Sequence, residues 1–400
     1  SASAACGLAP GESALIGARL VQGVGAALLF PQAFSLTQAL VPADRRDRVL
    51  GVLGVVIGSS TIVGQLLGGA LVQADLAGLS WRPVFLINVP IGLAVLCCAR
   101  RLIPESRSEH ARRLDLVGAV VLAGVLALLV VPLVEGRELG WPAWSLVCLL
   151  AVLPSAAGFL ALQRLTARAG NEPLVDLALF AERSVAVGLC LVVLWYLAMN
   201  SFFLVLSLTL QDGLGLPAVA AGLTYAPLAL CFLPASLLAG RLAARPGGPS
   251  SLALGAGVTV IGFGSLAAVA ALAGPGLSTA RVVPPLMVLG AGMGLFQSPL
   301  LGAVLARVGP KHVGTASGLL ATAQQAGGAI GVALIGLLYF AALPAGPAGL
   351  AARAYAFATA LLLNAAAVAA CLTLLPLLYR GPRPVSGGAG EGAGRRVRPR

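Results

Sequence analysis

The chain has 400 residues, 58% of them hydrophobic and only 10% charged, with a mean hydropathy of +0.96. A water-soluble domain carries about 25% charged residues, so this composition excludes a soluble globule and predicts an all-α, polytopic membrane protein. The formal net charge of +12 does not point to a nucleic-acid partner, because the arginines fall in loops and no basic stretch interleaves the aromatics of a single-strand groove.

The apolar runs are helix-length, roughly 20 residues or more, and lack the alternation of barrel strands. Eleven spans are predicted: 13–38, 49–72, 83–103, 115–134, 143–163, 184–210, 218–240, 250–274, 282–305, 313–341 and 352–379. Residues 1–10 read as the tail of an earlier span or an outer loop. The first apolar run is too long for a signal peptide and holds Arg19. With no initiator Met and an odd span count, three further spans are expected upstream, for fourteen in all.

In the first span, Arg19, Gln22, Gly23 and Ala26 share one helical face. An arginine at membrane depth costs roughly 2.5–3.5 kcal/mol on insertion scales, so it needs a carboxylate or carbonyls, or must snorkel to the outer interface. No Asp or Glu sits mid-span; Asp115 and Asp212 lie at span ends. The partner of Arg19 is therefore expected to be backbone or to lie upstream of this sequence. In the second span Gly51, Gly54, Gly58, Gly64, Gly68 and Gly69 cluster on one side, and Gly54/Gly58 and Gly64/Gly68 are each small-xxx-small pairs. Static close packing and a hinge between moving halves both fit.

The loops predict orientation. With residue 13 starting outside, twenty-one basic residues fall on the cytoplasmic side and four (Arg82, Arg137, Arg281 and Arg353) on the other, the asymmetry of the positive-inside rule. Trp81, Trp141 and Trp144 then lie at the outer interface. Residues 171–183 read as a short cytoplasmic interfacial helix with Leu174, Leu177, Phe180 and Ala181 on one face. Residues 380–400 read as a disordered basic tail. The seven cysteines form no metal or disulfide pattern. His110 and His312 lie in loops, and no catalytic constellation exists, so an enzyme is not expected.

An internal repeat is visible. Gly51 and Gly64 are 13 apart, as are Gly314 and Gly327, and the same offset carries Gly68 onto Gly331. Gly23-Val-Gly25 and Phe30 match Gly290-Ala-Gly292 and Phe296 once a gap is allowed. Hairpins 13–72 and 282–341 are thus expected to be equivalent parts of two related halves. The spans flanking the pseudo-axis should line a cavity. Its candidate residues are Gln32, Trp195, Tyr196, Asn200, Tyr225, Gln297 and Gln324, for each of which ordinary helix packing is an open alternative. Asn200 and Gln297 stand out, because a mid-span amide needs a partner.

These residues carry a family resemblance. RLVQGVGAA (19–27) resembles the fourth-span motif of the major facilitator superfamily, and GSSTIVGQLLGG (58–69) resembles its fifth-span antiporter motif. WRPVFLINVPIG (81–92) resembles the sixth-span signature of the fourteen-span drug:proton antiporters. RLDLVGA (113–119), EPLVDLALF (172–180) and GTASGLLATAQQAGGAIGVAL (314–334) are similar to later landmarks of that family. Gln65 stands where the motif has proline, Pro83 replaces an aromatic, and GRLAARPGG (240–248) is a worn copy of a gating motif without its acidic residue.

The resemblance implies the remainder of a first half (1–103), two extra spans (104–170), the interfacial helix, a six-span second half (184–379) and the tail. It implies proton-coupled multidrug export, hence antibiotic resistance, with Arg19 as the coupling residue and Gln22 beside it. Gly58, Gly64, Gly68 and Gly69, with Gln65, would form the hinge or gate. No cofactor is expected, the proton gradient supplying the energy. The partners implied are a small lipophilic substrate, protons and membrane lipids, around a monomer in the cell membrane with a cytoplasmic C-terminus. A carrier of one specific metabolite, which would need charged cavity residues, and a non-transporting fragment remain the alternatives.

Overall fold

A computed structural model describes residues 2–103, 115–171, 173–175, 177, 182–243, 249–305, 313–344 and 349–379, with only part of the side chains between 30 and 65. All regular elements among them are helices. A short α1 (Ala2–Gly7) precedes α2 (Glu12–Leu40) and α3 (Ala43–Ala74), joined by a turn at Val41–Pro42. Then come α4 (Pro83–Leu86), α5 (Asn88–Leu102), α6 (Leu116–Glu138) and α7 (Ala143–Arg168). The second half holds α8 (Arg183–Leu208), α9 (Ala218–Leu223), α10 (Ala226–Ala243), α11 (Pro249–Ala273), α12 (Thr279–Leu305), α13 (Val313–Ala341) and α14 (Leu350–Tyr379).

Ten helices or helix pairs among the described residues are long and apolar enough to cross a membrane. The remaining expected span, 49–72, lies inside the 32-residue α3. Three expected spans are not continuous α-helix. The third breaks at Ile87, where Pro90 has no N–H for the Leu86 carbonyl and Asn88 Nδ2 donates instead to Val84 O (3.3 Å). The seventh breaks between α9 and α10, ahead of Pro227, with Thr224 Oγ1 bonded back to Ala220 O (2.9 Å). The sixth ends in a π-turn at Thr209–Gly213. Of the expected interfacial helix, residues 172, 176 and 178–181 lie outside the described residues and 171 and 173–175 are not helical; the basic tail lies wholly outside.

The densest packing is in the second half. There α12 lies between α10 and α11, and α8 is clasped by α13 and α14. Trp195, Phe202, Phe232, Phe263, Phe296 and Phe357 are all fully buried in one continuous cluster. Elsewhere large apolar side chains face outward, as on α2 with Ile16, Leu20, Val24 and Leu28. A bilayer, not water, solvates such a surface.

Glycines let the backbones approach. On α12, a Cβ at Gly290 would strike the Leu228 carbonyl, one at Gly292 would sit 2.5 Å from Thr259 N, and one at Gly294 would strike the Phe232 carbonyl. On α13, Gly327 and Gly331 lie against the Val193 and Leu197 carbonyls of α8. This is small-residue packing of the kind membrane helices use when burial against lipid supplies no driving force.

Candidate functional site

The N-terminal helices α2 and α3 meet the helices after α8 along one seam. Helix α3 packs along α9, α10 and α12, while α2 touches α13. The closest approach is at Gly69: a Cβ there would lie 2.5 Å from Ala218 O and 3.4 Å from Val219 Cα. Gly64 and Gly68 would meet nothing within 4 Å among the described residues. Gly58 lies within α3, with its surroundings outside the described residues, as is the Gln65 side chain. Of the five expected hinge positions, the structure thus sets Gly69 against the other half.

Arg19 lies about two turns into α2, with an exposed side chain. Its Nη1 donates to Gln22 Oε1 (3.1 Å), one turn along the same face, and its guanidinium sits over the Phe85 ring, 4.6 Å from the centroid. Gln22 Nε2 donates to Ser3 Oγ (3.1 Å), and the Cys6 thiol approaches Gln22 Oε1 at 3.7 Å. The partner was expected to be backbone or to lie upstream of this sequence; among the described residues an amide and an aromatic face contact the arginine. Both compensate a cation weakly compared with a carboxylate, and among the described residues no carboxylate pairs with it.

The cavity candidates separate into two groups. Trp195 (0% exposed) stacks on Phe296 with centroids 4.3 Å apart. Tyr225 (2%) donates to Phe203 O at 3.3 Å, and Gln324 (6%) is enclosed on α13. These three belong to the packed interior of the second half. Gln32 is exposed on α2, and Asn200 is exposed on α8. The Asn200 amide occupies the space a Cβ on Gly328 would fill. Tyr196, one turn before Asn200, brings its hydroxyl near the half-buried Gln297 amide of α12 without a well-aligned hydrogen bond. Tyr196, Asn200 and Gln297 therefore form one polar strip, in which i,i+4 spacing on α8 meets α12, with the Tyr196 hydroxyl buried and Asn200 exposed.

Sequence reasoning passed over Asn364 and Gln163. Asn364 is fully buried mid-span on α14, with Oδ1 accepting from Ser201 Oγ (2.9 Å). The rule that a membrane amide needs a partner, applied to Asn200 and Gln297, applies to it equally. A groove of about 490 Å³ between α6 and α7 is lined by apolar side chains with Cys148 and Ser155. Its lining offers no ionisable group beyond the Cys148 thiol.

The family model described as Major Facilitator Superfamily matches residues 1–332. The chain belongs to the major facilitator superfamily. This is a family of transporters, and the chain is a multi-pass membrane protein with that family's helical bundle. It is 36% identical, over 86% of its length, to the "Probable actinorhodin transporter" of Streptomyces coelicolor, but spans only 59% of that protein. It is 33% identical to a cephamycin export protein of Amycolatopsis lactamdurans, covering 94% of this chain and 77% of the relative. Among solved structures, the crystal structure of an auto inhibited POT family peptide transporter superposes with a TM-score of 0.54 at 19% identity, covering 92% of this chain and 80% of the other. That last likeness concerns the fold.

Proposed function

We propose that this chain exports small lipophilic compounds, drugs among them, in exchange for protons, by rocking of its two halves about a site near the midplane. The observation that carries the reading is the seam along α3, which packs on α9, α10 and α12 and comes to backbone contact with α9 at Gly69. Such a seam of small contacts can open and close without breaking a hydrophobic core. The export descriptions of the relatives support the direction of transport, and the loop arginines support a cytoplasmic C-terminus.

In this reading Arg19 is the coupling residue. It is a cation held by an amide and a ring, free to exchange those contacts for a carboxylate or a proton-carrying group during the cycle. Tyr196, Asn200 and Gln297 offer an adaptable, weakly polar surface to an apolar substrate. Arg19→Ala is expected to abolish efflux of ethidium from energised cells while the protein reaches the membrane at wild-type level. Undiminished, gradient-dependent efflux by that variant would remove Arg19 from the mechanism.

A further inference from the structure

At one end of the inserted pair, α6 and α7, four hydrogen bonds converge. Asp115 Oδ1 accepts from Gly118 N (2.7 Å) and caps α6. Asp115 Oδ2 accepts from Gln163 Nε2 (3.0 Å) on α7 and from Leu174 N (3.1 Å) in the segment that leads to α8. Gln163, fully buried, completes the set by accepting from Val175 N (3.0 Å). One carboxylate and one amide thus hold two consecutive backbone donors of the connecting segment. Gly118 leaves the room: a Cβ there would strike Asp115 Oδ2 and lie 2.6 Å from Gln163 Nε2.

We propose that Asp115 and Gln163 form a clasp that makes α6 and α7 move with the second half as one body, an inference that rests on the rocking of halves proposed above. The packing agrees. Helix α6 lies along α13, and no first-half helix makes a comparable contact with α6 or α7 among the described residues. With the clasp, the backbone at Leu174 and Val175 is fixed to both inserted helices.

The clasp is permanent rather than pH-switched. Burial alone would raise the Asp115 carboxyl, but the hydrogen bonds from Gly118 N, Gln163 and Leu174 N outweigh it and hold it below its ordinary 3.8. Its stabilising effect is therefore complete above 3.8 and lost only as pH falls through the lowered value. Acid titration of the Asp115 carboxyl by NMR is expected to give a midpoint below 3.8.

The test is a set of spin-label distances in the full chain in lipid nanodiscs, with native cysteines replaced and labels at Leu93→Cys on α5, Leu153→Cys on α7 and Ile261→Cys on α11, all exposed positions. Distances are compared with and without ethidium, at acidic and neutral pH. The 93–261 and 93–153 distances are expected to change together while 153–261 stays single and narrow. In Asp115→Asn, which keeps an acceptor for Gly118 N but turns a donor toward Gln163 and Leu174, the 153–261 distribution is expected to broaden. Gly118→Ala, which forces the same groups apart without changing charge, is expected to do likewise. A 153–261 distance that changes in the wild type while 93–153 stays fixed overturns the proposal, as does an unchanged 153–261 distribution in both variants. If 93–261 never changes, the rocking of the halves fails, and the clasp's role falls with it.

Discussion

Gly69→Val stops transport while leaving the protein folded and in the membrane: this is the largest functional effect expected of any single change at the junction. The reason is geometric. Position 69 faces the Ala218 carbonyl across the seam, and even a Cβ would lie 2.5 Å from that oxygen. Both partners are backbone of long or proline-led helices, so neither can rotate a side chain away. Overpacking of this kind costs about 1–3 kcal/mol, and each ~1.4 kcal/mol is tenfold in an equilibrium. The state with this end of the halves together is thus expected to fall by roughly tenfold to hundredfold. Gly69 lies near the end of α3 and Ala218 begins α9, both at the end expected to face outward. The variant should therefore accumulate with that end open, read as increased labelling of Ala218→Cys by a membrane-impermeant maleimide. Gly64→Ala, which meets open space among the described residues, is the matched control and is expected to retain transport.

Gly290→Val should have the largest effect on stability. Three glycines, 290, 292 and 294, press α12 onto α10 and α11 at backbone distance. Unlike the seam at Gly69, this contact lies within the packed cluster of the second half. A branched side chain there must push α12 off Leu228 and disturb Trp195–Phe296 stacking a turn and a half away. A loss of about 3 kcal/mol or more, the upper range for overpacking, is expected to leave aggregated protein after mild detergent extraction. Gly302→Ala on the same helix meets nothing within 4 Å among the described residues. It is expected to be neutral or to stabilise by up to ~1 kcal/mol through helix propensity. Thermal unfolding of the two variants by tryptophan fluorescence separates a local packing effect from a general intolerance of α12.

Much of the fold was legible because a membrane imposes length and polarity on every helix. Ten of the eleven expected spans correspond to helices long and apolar enough to cross a membrane among the described residues, and most observed helix ends fall within a few residues of the expected ones. What hydropathy could not show was where prolines interrupt a span. Pro90 and Pro227 break helices that carry an unbroken apolar signal. The glycine repeat was visible, but its meaning differed between copies. Gly327 and Gly331 seat α8, whereas Gly64 and Gly68 meet nothing within 4 Å among the described residues and Gly69 meets α9. A small residue in a sequence says that a backbone can come close, not which one does.

The site was legible to a lesser degree. Arg19 and Gln22 were placed on one face by helical spacing, and they share a hydrogen bond. Phe85, which supplies the other contact, lies 66 residues further on, beyond reach of any local pattern. Trp195 and Tyr225 are polar enough to suit a cavity and apolar enough to suit a core, and tertiary packing placed them in the core. Asp115 was noted at a span end, but its value as an acceptor depended also on Gln163 and the Leu174 amide, 48 and 59 residues away.

The central claim is proton-driven export through two rocking halves, and proteoliposomes test it most directly. The purified chain is reconstituted with ethidium trapped on one side, and a pH gradient is imposed. The account predicts dye movement against its own concentration gradient, driven by protons flowing the other way, abolished by collapsing the pH difference and absent in Arg19→Ala. Dye movement that only follows its own gradient and ignores the imposed pH, or none at all from folded protein, would contradict it.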